Sequence, residues 1–485
     1  MIEFLKENWL VIIIVLNYLL TISAVITIFY RNLNPTKTLT YIIVLVFFPF
    51  LGLLIYYLFG QEYRKTKIFN RKNILNKQII KELNSQLNLD NKALEDLEDH
   101  FLNEKIRLVK LLQNNDKTPL TLYNKVKILK NGENKFKKLF EDINAAKHHI
   151  HLEYYILKDD TIGTELLNLL CKKAKLGIEV RLSVDDVGAS ISGDMKQKII
   201  DSGIEFYAFM PVLYPKFTSR MNYRNHRKIV VIDGNIGYLG VINIADDYVN
   251  APDKNKYWRD THIRIEGEAV ITLQIQFLIN WEFVSNSKIN IIANYFPKKP
   301  CKAKLAIQIA ASGPDTDWPN IMDALFSAIT SAKKYIYITT PYFIPNDEII
   351  MALQIASRSG VDVRLLIPNE SDSWTAKYAT NSYLQRLFDA DIKIYRYTKG
   401  FLHAKTLVVD GIISTIGTSN MDYRSFSINF EINAFFYDKK TSENLKDIFI
   451  EDLKNSIEMS LEIWKNRSNL EKLKEAYCKL WVPLL

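Results

Sequence analysis

The sequence predicts an α/β protein of two homologous lobes with pseudo-two-fold symmetry, preceded by an N-terminal transmembrane helical hairpin. Three observations predict it: two uncharged apolar runs near the start, a set of landmarks that recurs in the same order, and two copies of the pattern H-x-K-x-x-x-x-D. The 485 residues carry 63 Lys+Arg against 54 Asp+Glu, a formal charge of +9, and 48% are hydrophobic. This balance excludes a disordered chain and a polycation held to nucleic acid by counterion release. It leaves a folded protein with a preference for anions. Cys171, Cys301 and Cys478 are too few and too scattered for a disulfide framework or a thiolate metal site, which points to a reducing compartment.

Neither Trp9 to Tyr30 nor Leu39 to Gly60 contains a charged residue. A helix of about 22 residues reaches roughly 33 Å, enough for a hydrocarbon core of about 30 Å. A signal peptide has a shorter apolar core and is not followed by a second run. Both runs are therefore expected to cross a bilayer, with Pro49 and Gly52 tolerated inside the second. Arg31 and Lys37 lie between the runs, whereas Arg64, Lys65, Lys67, Arg71 and Lys72 follow them. The positive-inside rule then places the long C-terminal part in the cytoplasm, the short loop outside, and the basic stretch against anionic headgroups. The expected division is a two-helix anchor over 1–60, a charged helical connector acting as a solvated spacer over 61–125, and lobes over 126–300 and 301–485, the second ending in helices.

Internal similarity organises the lobes. The amphipathic stretch Phe136 to Lys147 leads into a β-rich segment, His148 to Ile156, as Ala324 to Lys334 leads into Tyr335 to Phe343. Gly177-Ile178-Glu179-Val180-Arg181-Leu182 is echoed by Gly360-Val361-Asp362-Val363-Arg364-Leu365, and Ile204 to Tyr207 by Ile392 to Tyr395. The last echo joins His226 to Gly234 with His403 to Gly411. Strands alternating with helices favour a mixed or largely parallel sheet covered on both faces.

That last echo carries the chemistry. His226, Lys228 and Asp233 match His403, Lys405 and Asp410, and each set is followed at one spacing by a Gly and an Asn: Gly240 and Asn243, Gly417 and Asn420. On a strand, His and Lys at i and i+2 share a face. The apolar run after each Lys suits a buried strand, and Asp-Gly suits the turn. An ammonium beside an imidazole repels a divalent cation, so the set reads as metal-free. It suits a phosphate, with Lys and Asn donating to non-bridging oxygens and His acting as nucleophile or acid/base. Two lobes with one pair each can bring both to a single phosphodiester.

The paired motifs resemble the phospholipase D superfamily, and the chain around them resembles bacterial cardiolipin synthases with two membrane helices. The likeness includes Phe48-Pro49-Phe50-Leu51-Gly52, Asn222 to Lys228, Trp258-Arg259-Asp260-Thr261-His262, Thr340-Pro341-Tyr342-Phe343, Gly417 to Ser425, Asn429-Phe430-Glu431 and Pro483-Leu484-Leu485. Val241 and Thr418 depart from the small residues that the resemblance leads one to expect there. The resemblance implies phospholipase D-like lobes in a bacterial cell membrane protein, multi-pass, with the catalytic lobes cytoplasmic. It implies transfer of a phosphatidyl group between phosphatidylglycerol molecules through a phosphatidyl-histidine, without metal, cofactor or nucleic acid. It further implies His226 as nucleophile, His403 as acid/base, and Asn243, Asn420, Asp260 and Glu431 on the substrate side. Among the carboxylates, it points to Glu431 as the partner orienting His403, and Asp260 is a weaker candidate for His226. Asp233 and Asp410 complete the catalytic motifs, and are expected to order the strand-turn and the Lys rather than to react. Arg224, Arg259 and Arg424 are candidates to grip phosphate or to form structural ion pairs.

A phospholipid hydrolase, another headgroup transferase and a membrane-tethered nuclease are the competing readings. The sequence lacks the strong basic stripe with interleaved aromatics that a nuclease favours. His148, His149 and His151 read as strand packing, Asp185-Asp186 as a loop cap, and Cys171 as a buried, inert thiol.

Overall fold

The computed structural model describes residues 8–30, 35–59, 105–116, 118–211, 223–251, 257–297, 301–480 and 482. The chain forms two compact units, one holding the N-terminal helices and the other the lobes.

In the first unit, α1 (Trp9–Tyr30) is apolar and long enough to cross a membrane. The second apolar run is not one straight helix. It forms α2 (Pro35–Phe47) and α3 (Pro49–Phe59), which fold back on each other at Phe48. Proline cannot donate the backbone hydrogen bond that would continue α2, and its ring clashes with the preceding turn. Gly52 then lets the two backbones meet, since a Cβ there would lie 2.5 Å from the Val44 carbonyl oxygen. The Tyr41 and Tyr56 rings meet edge to face at 5.8 Å, although 15 residues of straight helix would hold them roughly 22 Å apart. Ala24 and Ile28 of α1 join Leu45, Leu53 and Tyr56 in a small core. The expected second straight span is thus replaced by a helical hairpin. The basic stretch after it lies outside the described residues.

The second unit opens with α4 (Ile106–Asp116), β1 (Thr121–Lys130), α5 (Asn131–Ala145), β2 (His149–Tyr154), α6 (Thr161–Lys175), β3 (Glu179–Asp185), α7 (Gly193–Asp201) and β4 (Glu205–Phe209). The first lobe continues through β5 (Ile229–Ile232), β6 (Ile236–Gly240), β7 (Tyr257–Arg259), β8 (Thr261–Gly267) and α8 (Ala269–Ser285). The second comprises β9 (Lys304–Ser312), α9 (Asn320–Thr330), β10 (Tyr335–Thr339), β11 (Phe343–Ile344), α10 (Asp347–Arg358), β12 (Asp362–Pro368), α11 (Trp374–Phe388), β13 (Lys393–Tyr397), β14 (Gly400–Leu402), β15 (Thr406–Val409), β16 (Ile413–Gly417) and β17 (Met421–Asp422). It ends with α12 (Tyr423–Ser427), β18 (Glu431–Tyr437), α13 (Lys439–Leu453), β19 (Ser456–Glu458), α14 (Leu461–Lys465) and α15 (Asn469–Leu480).

One 15-stranded sheet runs β19-β13-β12-β10-β15-β16-β18-β9-β1-β8-β6-β5-β2-β3-β4. Reading outward from β1 gives β8, β6, β5, β2, β3, β4, and from β9 gives β18, β16, β15, β10, β12, β13, so the sequence repeat is a repeat of strand order. The halves join where Thr121 faces Ile307 and Tyr123 faces Lys304 across a bulge. In each half three strands are parallel and the rest antiparallel, the mixed sheet expected.

Burial explains the apolar strands. Val230 and Ile232 of β5 enter the first lobe's core, while Ile229 and Val231 enter a central core shared with Ile307, Val408 and Ile432. A strand covered on both faces cannot alternate polar and apolar residues. Helices begin at side-chain caps: Asp160, Ser192, Ser373 and Asp438 each accept a hydrogen bond from the first turn.

The 61–125 segment is not wholly a solvated spacer. Its helix α4 buries Ile106, Leu108, Val109 and Leu112 in the second lobe's core, because the helix carries an apolar face that water would penalise. Lys105, just before it, reaches Asp410 at 2.8 Å. Strand β1 runs across the expected boundary at 125/126.

Candidate active site

Each motif sets its His and Lys in the segment just ahead of its strand, 226–228 before β5 and 403–405 before β15, rather than on the strand itself as expected. The segment 224–226 lies beside Phe430: the His226 N–H donates to the Phe430 carbonyl and the Phe430 N–H to the Arg224 carbonyl, both at 2.9 Å. In the other lobe, β14 pairs in parallel with β7, and the His403 N–H donates to the Arg259 carbonyl at 2.9 Å. These two crossings set each histidine beside the residue after its backbone partner, Glu431 or Asp260. His226 Nδ1 is 3.0 Å from Glu431 Oε2, and His403 Nδ1 is 2.9 Å from Asp260 Oδ2. The partners implied by the resemblance are therefore exchanged: Glu431 serves His226 and Asp260 serves His403. The cause is the parallel strand contact between lobes, which joins each histidine to a carboxylate of the opposite lobe.

Both lysines share the site. Lys228 Nζ donates to the His226 carbonyl at 2.6 Å; Lys405 Nζ lies 3.0 Å from the His403 carbonyl and 3.1 Å from His403 Nε2. A lysine donating to Nε2 fixes the free tautomer with its proton on Nδ1, directed at Asp260. The imidazoles keep 14% and 10% of their side chains exposed, so a substrate can reach them, whereas both carboxylates are sealed.

The electrostatics of the two pairs differ. Burial drives His226 well below the ordinary histidine range, aided by the charges of Lys228, Lys405 and His403. Burial and Lys405 lower His403 too, but the charge and hydrogen bond of Asp260 act against them. Burial pushes Glu431 up to about 7 against the pull of Lys228. Burial also pushes Asp260 upward, but His403, Lys405 and the Thr261 N–H outweigh it, and Asp260 stays below its ordinary value. Lys228 is driven well down by burial, and Lys405 to about 8 despite Asp260 and Glu431. His403 thus faces a fully charged carboxylate, and His226 a carboxylate that is half neutral near pH 7.

Other expected residues have different places. Asp233 and Asp410 sit at the far ends of β5 and β15, away from the lysines. Asp233 accepts from the backbone N–H groups of Lys147, His148 and His149, and Asp410 from those of Lys333, Lys334 and Tyr335. Their positive φ values, 52° and 55°, belong to the strand turns. Both are turn residues that tie β5 to β2 and β15 to β10. Asn243 is held at both ends, accepting from the Ile156 N–H and donating one amide hydrogen to the Tyr248 hydroxyl. Asn420 is buried with its Oδ1 unpartnered. Val241 is buried, whereas Thr418, whose Oγ1 accepts from the Ile432 N–H, also hydrogen-bonds Glu431 and so belongs to the site.

Two of the three arginines form buried ion pairs. Arg259 is clamped by Asp452 through Nε at 2.9 Å and Nη2 at 2.8 Å, and Arg224 by Asp185 at 3.1 Å. Arg424 Nε donates to Asn429, whose amide in turn reaches Glu431. Asp185 also accepts from the Asn225, Val187 and Gly188 N–H groups, making it the cap expected and the anchor of the stretch before His226. His149 and His151 are core residues bridged by Gln274.

Sequence reasoning did not single out Tyr155, Trp258 or Phe401 for the site. The Tyr155 ring meets His226 edge to face at 5.0 Å, and Phe401 stacks at 5.8 Å from His403. Trp258 Nε1 donates to Asp260 Oδ2 at 3.2 Å. Its position two residues before Asp260 is the one signal that was present.

Two lobes that pool paired His-Lys motifs at one buried centre define a phospholipase D-type phosphodiester-transferring site. Residues 139–269 and 325–453 match the family described as "Cardiolipin synthase, PLD-like domain", and 19–61 match "Phospholipase_D-nuclease N-terminal". A cardiolipin synthase of Alkalihalophilus pseudofirmus is 39% identical over 99% of this chain and 95% of its own length. One of Halalkalibacterium halodurans is 42% identical over 96% and 93%. The crystal structure of a phosphatidylserine synthase from Haemophilus influenzae shares the fold, with a TM-score of 0.59 at 14% identity over 78% of this chain and 98% of that one. The chain belongs to the bacterial cardiolipin synthases of the phospholipase D superfamily.

Proposed function

We propose that the chain transfers a phosphatidyl group from one phosphatidylglycerol to the terminal hydroxyl of a second, giving cardiolipin and glycerol. The observation that carries this reading is the reciprocal bracing of the two motif histidines, each by the other lobe's carboxylate, at one centre with two lysines. In the first step His226 Nε2 attacks phosphorus, a P–N bond forms, and the P–O bond to glycerol breaks as His403 gives its proton to the leaving oxygen. In the second, the lipid hydroxyl attacks phosphorus, His403 takes back the proton, and the P–N bond breaks. An acid that becomes a base in a two-step displacement is covalent catalysis.

The unequal carboxylates support the order of roles. A nucleophile must be neutral, and burial, aided by Lys228, Lys405 and His403, favours neutral His226. An acid must hold a proton, and charged Asp260 stabilises the His403 imidazolium. Lys228 and Lys405 hold the non-bridging oxygens. The N-terminal unit anchors the chain in the bacterial cell membrane, the remainder of 61–125 connects it to the lobes, and the lobes face the cytoplasm. Purified full-length protein in phosphatidylglycerol vesicles with chelator should yield equimolar cardiolipin and glycerol. Absence of both products contradicts the reading, and phosphatidic acid in their place identifies a hydrolase.

A further inference from the structure

We infer that the second apolar run is a re-entrant hairpin, dipping into the leaflet on the side of the catalytic lobes and returning to that side, so that α1 alone crosses the bilayer. The inference deepens the membrane-anchor reading above and rests on it.

Three observations carry it. The first is the fold of the run itself. Val44 faces Gly52 and Tyr41 faces Tyr56, pairs centred on Phe48, so α3 retraces α2. The second is length. Helices of 13 and 11 residues reach about 20 Å and 17 Å, short of a hydrocarbon core of about 30 Å. The third is the chemistry of the tip. Phe47, Phe48, Phe50 and Leu51 are each more than half exposed. No polar side chain from Tyr41 to Phe59 other than the tyrosines could meet water or headgroups on the far side. Such a tip belongs in lipid tails, where exposed phenylalanines are solvated rather than penalised. The break at Phe48 is tolerable there because its backbone groups are paired within the run: the Phe48 N–H donates to the Val44 carbonyl and the Gly52 N–H to the Phe48 carbonyl.

Charge distribution agrees. With two crossings, Arg31 and Lys37 would lie opposite Arg64, Lys65, Lys67, Arg71 and Lys72. With a re-entrant hairpin all seven cations share one face, and Lys6 is the single Lys or Arg left on the other. The positive-inside rule favours the second arrangement and sets the common face as cytoplasmic.

The test is the side on which three sequence positions lie in the full-length protein in cells. Glu3→Cys, Asn32→Cys and Glu62→Cys are made separately in a background with Cys171, Cys301 and Cys478 replaced by alanine, and probed with a membrane-impermeant maleimide before and after permeabilisation. The expected result is labelling of position 3 in intact cells, and labelling of positions 32 and 62 only after permeabilisation. Positions 32 and 62 on opposite faces, or position 3 on the same face as both, overturn the proposal. A short epitope inserted between Asn32 and Leu33 of the otherwise unaltered chain gives the same reading by antibody access if the cysteine-free background fails to accumulate. Cardiolipin content of the same cells reports the catalytic reading separately, so loss of product with position 32 protected counts against the chemistry alone.

Discussion

His226 Nδ1 and Glu431 Oε2 lie 3.0 Å apart, although 205 residues and a lobe boundary separate them in sequence. His403 and Asp260 repeat the relationship in the opposite direction at 2.9 Å. Each half of the duplicated chain therefore supplies a motif histidine and completes the other half's, and neither motif histidine takes this carboxylate partner from its own lobe.

The two carboxylates should respond differently to neutralisation. Asp260→Asn removes a full negative charge that stabilises the His403 imidazolium, so the His403 pKa falls and the protonated acid is lost at lower pH. The alkaline limb of the kcat/KM profile should move to lower pH, with activity reduced about 10²–10⁴-fold, the usual contribution of general acid–base catalysis. Glu431 already titrates near 7, so Glu431→Gln should be the milder change below neutrality. Profiles of the two variants measured side by side check this, and equal effects would argue against the asymmetry.

Arg259 and Asp452 form a buried pair beside the site, with side-chain exposures of 1% and 4%. Asp452→Ala leaves an uncompensated buried guanidinium, which costs about 3–5 kcal/mol. Arg259 also donates to the Asp260 carbonyl and to Thr261 Oγ1, so residual activity at permissive temperature should fall along with stability. Denaturation of the detergent-solubilised protein, followed with turnover, measures both.

The motif aspartates should behave as turn residues. Asp233→Asn retains an acceptor and a side chain that tolerates positive φ, whereas Asp233→Ala loses both. The Asn variant should keep a near-parental kcat in its folded fraction. The Ala variant should lose roughly 1–3 kcal/mol of stability, since the carboxylate's hydrogen bonds from the part-buried His148 and His149 N–H groups are gone. A large kcat loss in a stably folded Asp233→Asn protein would return this residue to the chemistry.

Local pattern and repetition made much of this legible in the sequence. His226-x-Lys228 and His403-x-Lys405 could be found because the motif recurs, although the pairs precede β5 and β15 instead of lying on them, and the apolar residues of those strands announced burial on both faces. The His-carboxylate pairing was not legible, since it depends on β14 meeting β7 and Asn225 meeting Phe430 across the lobes, contacts that leave no local signature. The fixing of the Asn243 side chain by Ile156 and Tyr248 was not legible either. Composition gave the second apolar run its length, but whether Pro49 bends or reverses a helix depends on what Gly52 lets it pack against. The apolar face of α4 carried a burial signal inside a segment whose average is charged.

The central claim is that His226 is the nucleophile and His403 the acid/base. Its most direct measurement is the position of the covalent lipid adduct, trapped by rapid denaturation during turnover of phosphatidylglycerol and mapped by peptide mass spectrometry under conditions that preserve phosphoramidates. The account predicts phosphatidyl on His226, none in His226→Ala, and slowed formation or turnover on His226 in His403→Ala. Adduct found on His403, surviving in His226→Ala and absent from His403→Ala, would contradict it.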